Sequence, residues 1–552
     1  MLSRRSVLLL SVPVLIILLG YVLYPALRTF YLGLDPDLYG AFFSSWRSAN
    51  IRGLGNSVLV SILTVAIGGF LGTLLAYAFY RFDFPLKNLL VSLAVVPLAL
   101  PPLVGVLAFL FLYGESGILP RLVQSILGLD SVPFSFEGFG AVLLVHVYSM
   151  YVYFYLFVSA GLSSLDRSTV EAAADLGSSN THTFGRVILP HLAPSMAGAS
   201  ILVFMISMAS FTAPLLFAGT EHFMTLQIYN YKLNGDLAMS AMVSTMLTLI
   251  SLVFLALLEL RSARGTGSGA SKGAATHTHV VSRGWARGAA GAAATSFILF
   301  LLLPVATVVL ISFAREGSWT WQLLPSSYTL DNYLSLLTDP DVFDPVMNSL
   351  IMATIASSAN LLFGIAAAFV IVQRGLPFRH LVRILTALPF AIPGTVIAVN
   401  LIIAFNEPSP LSFGSVLVGS LWILPLAYFI RHIPLVVRAT VAALERFDYR
   451  LAEASSDLGA SGLTTFLRVV TPAIGPAVAA GALLTFVTAL GEFVSSIMLY
   501  VFDNRPISVE ILAQLRIYDF GAAAAYSVFL MVLIVTATLL VRRIGGSPKM
   551  AL

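Results

Sequence analysis

The 552-residue chain is 58% hydrophobic and only 10% charged, with a mean hydropathy of +0.93, whereas soluble proteins carry about 25% charged residues. This excludes a soluble globular fold, and the absence of Cys excludes disulfides, thiolate metal sites, iron–sulfur clusters and cysteine nucleophiles. The formal charge of +4 calls for no nucleic acid, because the basic residues are accounted for by their places in membrane loops.

Crossing the hydrocarbon layer as a helix takes about 20 apolar residues, since unpaired backbone groups are costly in lipid. Twelve windows meet this: 6–27, 56–80, 89–112, 139–160, 194–217, 237–258, 293–314, 348–372, 384–405, 412–430, 474–499 and 520–541. Only the window containing Glu492 holds a formal charge. Gly and Pro sit inside these apolar runs, where membrane helices tolerate them. Arg4-Arg5 begins like a signal peptide, but the apolar stretch is too long and no small-x-small site closes it before Tyr21 and Tyr24, so an uncleaved first span is predicted. With the N-terminus inside, 22 of the 30 Lys and Arg residues fall on or near the cytoplasmic side, Arg431 and Arg438 among them. That bias predicts a multi-pass membrane protein with both termini cytoplasmic.

The chain is a duplication. Asn56-Ser57, Pro85, Pro97 and Pro101 recur 292 residues later as Asn348-Ser349, Pro377, Pro389 and Pro393. Between 171 and 194, 12 of 24 positions are identical to those 282 residues later. The net loss of ten residues fits a shortened outside loop near 113–138, whose counterpart begins near 406. Six spans per copy start the second copy on the same side as the first. The expected fold is all-α integral membrane, two parallel six-helix repeats related by an approximate two-fold axis that encloses a central path. The domains are 1–261, a flexible cytoplasmic connector at 262–287, and 288–552. Neither His277 and His279 nor the Gly-rich run from Gly265 to Gly273 reads as a metal site or a P-loop.

The loop after the fourth span of each half carries the most information. The first has Glu171, Ala172, Ala173, Asp175, Gly177, Phe184, Arg186 and Pro190; the second has Glu453, Ala454, Asp457, Gly459, Phe466, Arg468 and Pro472. Ser168 with Glu171 forms a candidate capping box, with Asp448 as the cap in the second copy. Gly177 and Gly459 permit a turn, and a second short helix through Phe184 or Phe466 is predicted to end before Pro190 or Pro472.

These loops resemble the EAA motif of permease subunits in ABC importers. The first matches with Glu171-Ala172-Ala173, Gly177 and Val187-Ile188-Leu189-Pro190, the second with Glu453-Ala454-Ser455, Gly459 and Val469-Val470-Thr471-Pro472. The resemblance covers nearly the whole chain and implies an ABC importer permease of the type I fold. It implies partners as well: two copies of a cytoplasmic ABC ATPase subunit docked on the paired helices, and one extracytoplasmic substrate-binding protein. The chain itself is then no enzyme and binds no cofactor, ATP and Mg belonging to the partner ATPase. Phe184 and Phe466 are candidate apolar anchors in the ATPase, with Glu171, Arg186, Glu453 and Arg468 orienting the rim.

Charged or polar groups within spans are functional candidates because their burial is expensive. Glu492, its counterpart Ser210, His146, Tyr151, Tyr155 and Asn400 are the candidates for the path; no metal cage is recognisable. The fused arrangement is similar to ferric-iron permeases, with thiamine, 2-aminoethylphosphonate and polyamine permeases as alternatives. In these systems the resemblance implies that the binding protein selects the solute. A secondary active transporter built from two six-span halves is the alternative of a different class. No HExxH supports a membrane enzyme.

Overall fold

The computed structural model describes residues 4–45, 47–265, 284–320, 322–373 and 375–544. Among them the regular structure is helical, apart from one antiparallel bridge between Ala314 and Tyr328. The first half comprises α1 (Arg4–Ile17), α2 (Tyr24–Gly33), α3 (Pro36–Phe42), α4 (Ala49–Arg81), α5 (Lys87–Leu93), α6 (Val96–Ala99), α7 (Pro102–Tyr113) and α8 (Ile118–Leu127). It continues with α9 (Gly138–Ser163), α10 (Arg167–Asp175), α11 (Asn180–Thr183), α12 (Leu189–Met208), α13 (Thr212–Phe217), α14 (Met224–Leu233) and α15 (Leu237–Gly265). The second half comprises α16 (Gly284–Ile311), α17 (Asp331–Thr338), α18 (Pro340–Val372), α19 (Arg379–Ala391), α20 (Gly394–Phe405) and α21 (Ile423–Arg446). It ends with α22 (Tyr449–Asp457), α23 (Gly462–Thr465), α24 (Thr471–Leu490), α25 (Val494–Leu499), α26 (Ile507–Arg516) and α27 (Phe520–Ile544). The connector residues 266–283, including His277 and His279, lie outside the described residues.

Among the described residues, eleven helices are long and apolar enough to cross a membrane. The pair α19–α20, bent by 113°, makes twelve if counted as one span. Four predicted windows are interrupted. Those at 89–112 and 384–405 break where Pro101 and Pro393 cap α7 and α20, because proline lacks the amide that would continue the helix. Those at 194–217 and 474–499 break at 209–211 and 491–493 without any proline. There the freed carbonyls of Ser210 and Glu492 accept hydroxyl hydrogens from Thr225 and Ser508, at 2.6 and 2.8 Å. A neighbouring hydroxyl is what lets a membrane helix break without leaving a bare carbonyl.

The tenth window, expected at 412–430, is displaced to Ile423–Arg446. Its expected first half is loop, with Phe413, Gly414 and Gly419 all at positive φ. The displaced helix carries Arg431 and Arg438 in place of a wholly apolar run. Arg431 is paired with Glu492, and the Arg438 guanidinium lies 5.1 Å from the Phe390 ring centroid.

The duplication is visible element by element. α20 follows α7 at an offset of 292, and α22 to α25 follow α10 to α13 at 282. After the second break the offset becomes 283, through one inserted residue before α26. The ten missing residues match α8: the stretch 406–422 holds only a three-residue 3-10 turn, Pro410–Ser412. The duplicated Asn-Ser pair also has a structural purpose. Ser57 accepts the Met224 amide at 3.0 Å and Ser349 accepts the Ile507 amide at 2.8 Å. Asn56 donates to the His222 carbonyl and Asn348 to the Arg505 carbonyl, so each pair pins the segment entering α14 or α26.

The first helices are exchanged between halves. α2 packs on α20, and α16 packs on α7. The Tyr21 hydroxyl donates to the Leu411 carbonyl at 2.6 Å, and the Tyr148 hydroxyl to the Leu301 carbonyl at 2.8 Å.

Candidate functional site: two paired loops and the centre they frame

The loops after α9 and α21 share one construction. Asp166 and Asp448, not Ser168, are the N-caps, accepting the Ser168 and Arg450 amides at 2.9 and 3.1 Å. The Ser168 amide, together with the Ser168 hydroxyl, holds the Asp166 carboxyl below its usual pKa of 3.8. α10 and α22 then end at Gly177 and Gly459, whose φ values of 80° and 84° favour glycine. The Gly177 amide reaches the Ala174 carbonyl and the Ser178 amide the Ala173 carbonyl; Gly459 and Ala460 repeat both bonds. This double bond pattern closes the helix end on its own carbonyls.

Beyond the turn, the chain does not stop before Pro190 or Pro472. It runs helically from Asn180 through a π turn at Phe184–Ile188 into α12, and from Gly462 through Phe466–Val470 into α24. The wide turn absorbs the missing proline amide, with the Leu189 and Thr471 amides bonded to the Phe184 and Phe466 carbonyls. The prolines therefore occupy the first turns of the long helices.

Phe184 and Phe466 both meet an aromatic ring of the membrane helices. Each is half-buried against its own half, packed edge-on to Tyr77 and Phe369 with ring centroids 4.8 and 5.4 Å apart. The most exposed apolar side chains of the two loops are Leu176 and Leu458, 88% and 89% exposed, with Leu451, Leu463 and Leu467 exposed as well in the second loop. Glu171, Asp175, Arg186, Glu453, Asp457 and Arg468 are exposed around them; Ala172 and Ala454 are exposed beside them, and Ala173 is half-buried.

The path candidates divide. The Tyr151 hydroxyl donates to the Ala94 carbonyl at 2.5 Å and Tyr155 packs on Phe79, so both belong to the core of the first half. Asn400 faces a small cavity shared with Tyr21, Ile397 and Ile430, between α20 and α2. Its Oδ1 has no hydrogen-bond partner among the described residues.

His146, Ser210 and Glu492 gather at the helix breaks. His146 is hydrogen-bonded to Ser207 at 3.0 Å and Ser210 at 2.8 Å, and Ser207 accepts the Ser61 hydroxyl. In the second half Glu492 accepts the Ser495 amide at 3.0 Å and pairs with Arg431 at 2.9 Å. Arg431 read as a loop residue because its window was misplaced, and the break hid the meaning of Phe211 and Phe493. These two occupy the same position 282 apart, and their rings meet with centroids 6.2 Å apart. Extending the repeat alignment beyond Pro194 and Pro476 would have brought this identity out. No group of three or more His, Asp or Glu side chains placed to hold a metal occurs among the described residues.

The two loops share one construction, and each leads into a broken helix. The family of binding-protein-dependent transport system inner membrane components matches residues 67–264 and again 360–547. The chain belongs to this family. A probable ABC transporter permease of Sinorhizobium fredii is 30% identical to this permease over 84% of the chain and 82% of its own length. The ferric transport system permease FbpB of Actinobacillus pleuropneumoniae is 26% identical over 97% of the chain and 78% of its length. The sulfate transport system permease CysT of Salmonella typhimurium is 30% identical, but over 41% of the chain and 80% of its length. The permease is thus an inner-membrane transport subunit of a binding-protein-dependent ABC importer with two family units fused in one chain.

Proposed function

We propose that this permease admits ferric iron delivered by one extracytoplasmic binding protein, driven by two copies of a cytoplasmic ABC ATPase. The observation that carries the iron reading is coverage: the ferric relative aligns along 97% of the chain, through both halves, whereas the sulfate relative spans 41%. The chain works without its own ATPase domain, and its loops at Gly177 and Gly459 receive the two ATPase subunits through Leu176 and Leu458. Both termini and the 262–287 connector lie with those loops in the cytoplasm, between membrane domains 1–261 and 288–552. Hard oxygen ligands suit ferric iron, and in this reading the binding protein supplies them and selects the cargo.

The test is reconstitution with the cognate ATPase and binding protein, supplying Fe(III), thiamine, 2-aminoethylphosphonate or a polyamine in turn. ATP-dependent accumulation of iron alone is expected. Accumulation of another solute with none of iron overturns the cargo, and uptake that persists without the ATPase overturns the ABC mechanism.

A further inference from the structure

A residue in one repeat meets its own counterpart only at the axis relating the repeats. Phe211 and Phe493 do so, each 1% exposed, with rings inclined by 28°. Tyr229 braces Phe211 at 5.3 Å, and both phenylalanines belong to one apolar cluster drawn from the two halves. The rings therefore fill the axis at the depth of the two helix breaks.

Each ring directly follows a residue that ties two helices together. Ser210 joins the break after α12 to His146 of α9, and Glu492 joins the break after α24 to Arg431 of α21. α9 and α12 are the arms of the first loop, and α21 and α24 those of the second. Loop, arms and tie form a closed frame in each half, with the ring at its inner corner.

The ties differ in strength. At the positions of Arg431, Glu492 and Gly394 the first half has Ser149, Ser210 and Pro102. The three second-half residues require one another. A methyl group at Gly394 would lie 1.8 Å from Arg431 Nη1, and Arg431 without Glu492 would be a charge held inside a span with no counter-ion. A charge-assisted bond holds more firmly than the neutral His146–Ser210 contact.

We propose that Phe211 and Phe493 are the seal across the solute path, and that His146–Ser210 and Arg431–Glu492 are positioning pairs that carry loop movement to the rings. Phe493 is the firmly held ring and Phe211 the one that moves. This rests on the reading of the chain as a transport permease, but not on the identity of its cargo.

The experiment measures potassium efflux from liposomes holding the permease with its ATPase, without ATP or binding protein. Phe211→Ala with Phe493→Ala is expected to raise efflux about tenfold, whereas Phe211→Leu with Phe493→Leu keeps the apolar plug and stays tight. Glu492→Gln is expected to leak to a lesser degree, and Arg431→Ser with Glu492→Ser, which installs the first-half residues, to leak less than Glu492→Gln. A tight double-alanine variant that still docks its ATPase overturns the seal. If that variant fails to assemble, Phe211→Cys with Phe493→Cys in this Cys-free chain decides. A short cleavable thiol crosslinker is expected to close efflux until reduced and to react less after vanadate trapping. Equal crosslinking in both states overturns the moving ring. Since efflux needs neither solute nor binding protein, its outcome is separate from that of the iron assay.

Discussion

Replacing Leu176 and Leu458 by Ala tests which side chains grip the ATPase. Both leucines are almost wholly exposed in the free chain, so docking gains nearly their full burial. Leu→Ala removes three carbons, and at ~0.8 kcal/mol per buried carbon each loop loses about 2 kcal/mol of docking free energy. That corresponds to about 30-fold in affinity per loop, and toward 1,000-fold for the pair if the loops act independently. The matched control is Phe184→Ala with Phe466→Ala. Those rings pack on Tyr77 and Phe369, so their loss is expected to lower the permease's own unfolding temperature. Titration of labelled ATPase onto permease in nanodiscs gives the affinity, and thermal unfolding of the permease alone gives the stability. Leucine variants binding within about threefold of wild type, with phenylalanine variants that unfold normally yet fail to bind, would refute the reasoning.

Gly394→Ala is expected to displace the Arg431 guanidinium, lowering thermal stability. Adding Arg431→Ser together with Glu492→Ser, which removes the crowded side chain and its counter-ion at once, is expected to restore part of the loss, a coupling of about 1 kcal/mol or more readable in a mutant cycle. Ser57→Ala and Ser349→Ala each leave a buried amide without its acceptor, at a cost of about 1–3 kcal/mol in unfolding assays. The Asp166 cap has a pH signature. Its folded carboxyl pKa lies below 3.8, so the stabilisation is fully present above 3.8 and is lost as pH falls through the lower folded value. Amide exchange in the first turn of α10 is expected to show protection unchanged down to about pH 5 and falling only in stronger acid. Asp166→Asn, which keeps an acceptor without the ionisation, is expected to remove that dependence.

Much of the architecture was legible because hydropathy and repetition report burial directly. The twelve windows and both offsets have counterparts in the helices, and Gly177 and Gly459 lie at the positive φ their residue type suggests. What escaped were features in which one group compensates for another at a distance in sequence. Helix breaks at 209–211 and 491–493 carry no local signal, since the hydroxyls that make them tolerable come from Thr225 and Ser508. Arg431 read as a loop residue because hydropathy cannot register that Glu492, 61 positions later, neutralises it. The outward place of Leu176 was hidden because an exposed leucine and a buried phenylalanine reverse the usual ordering.

The exchanged first helices bear on how the chain is made. Tyr21 finds its partner at Leu411, 390 residues farther along. At about 5–20 residues per second of synthesis, the opening helix waits at least ~20 s in the bilayer before its seat exists. During that interval the face that will meet α20 is exposed to lipid or to the insertion machinery. A gene split at the connector would yield two polypeptides, each holding a first helix that packs on both its own half and the other. Obligate co-assembly is thus written into the fold, and covalent fusion fixes the two halves at equal dose.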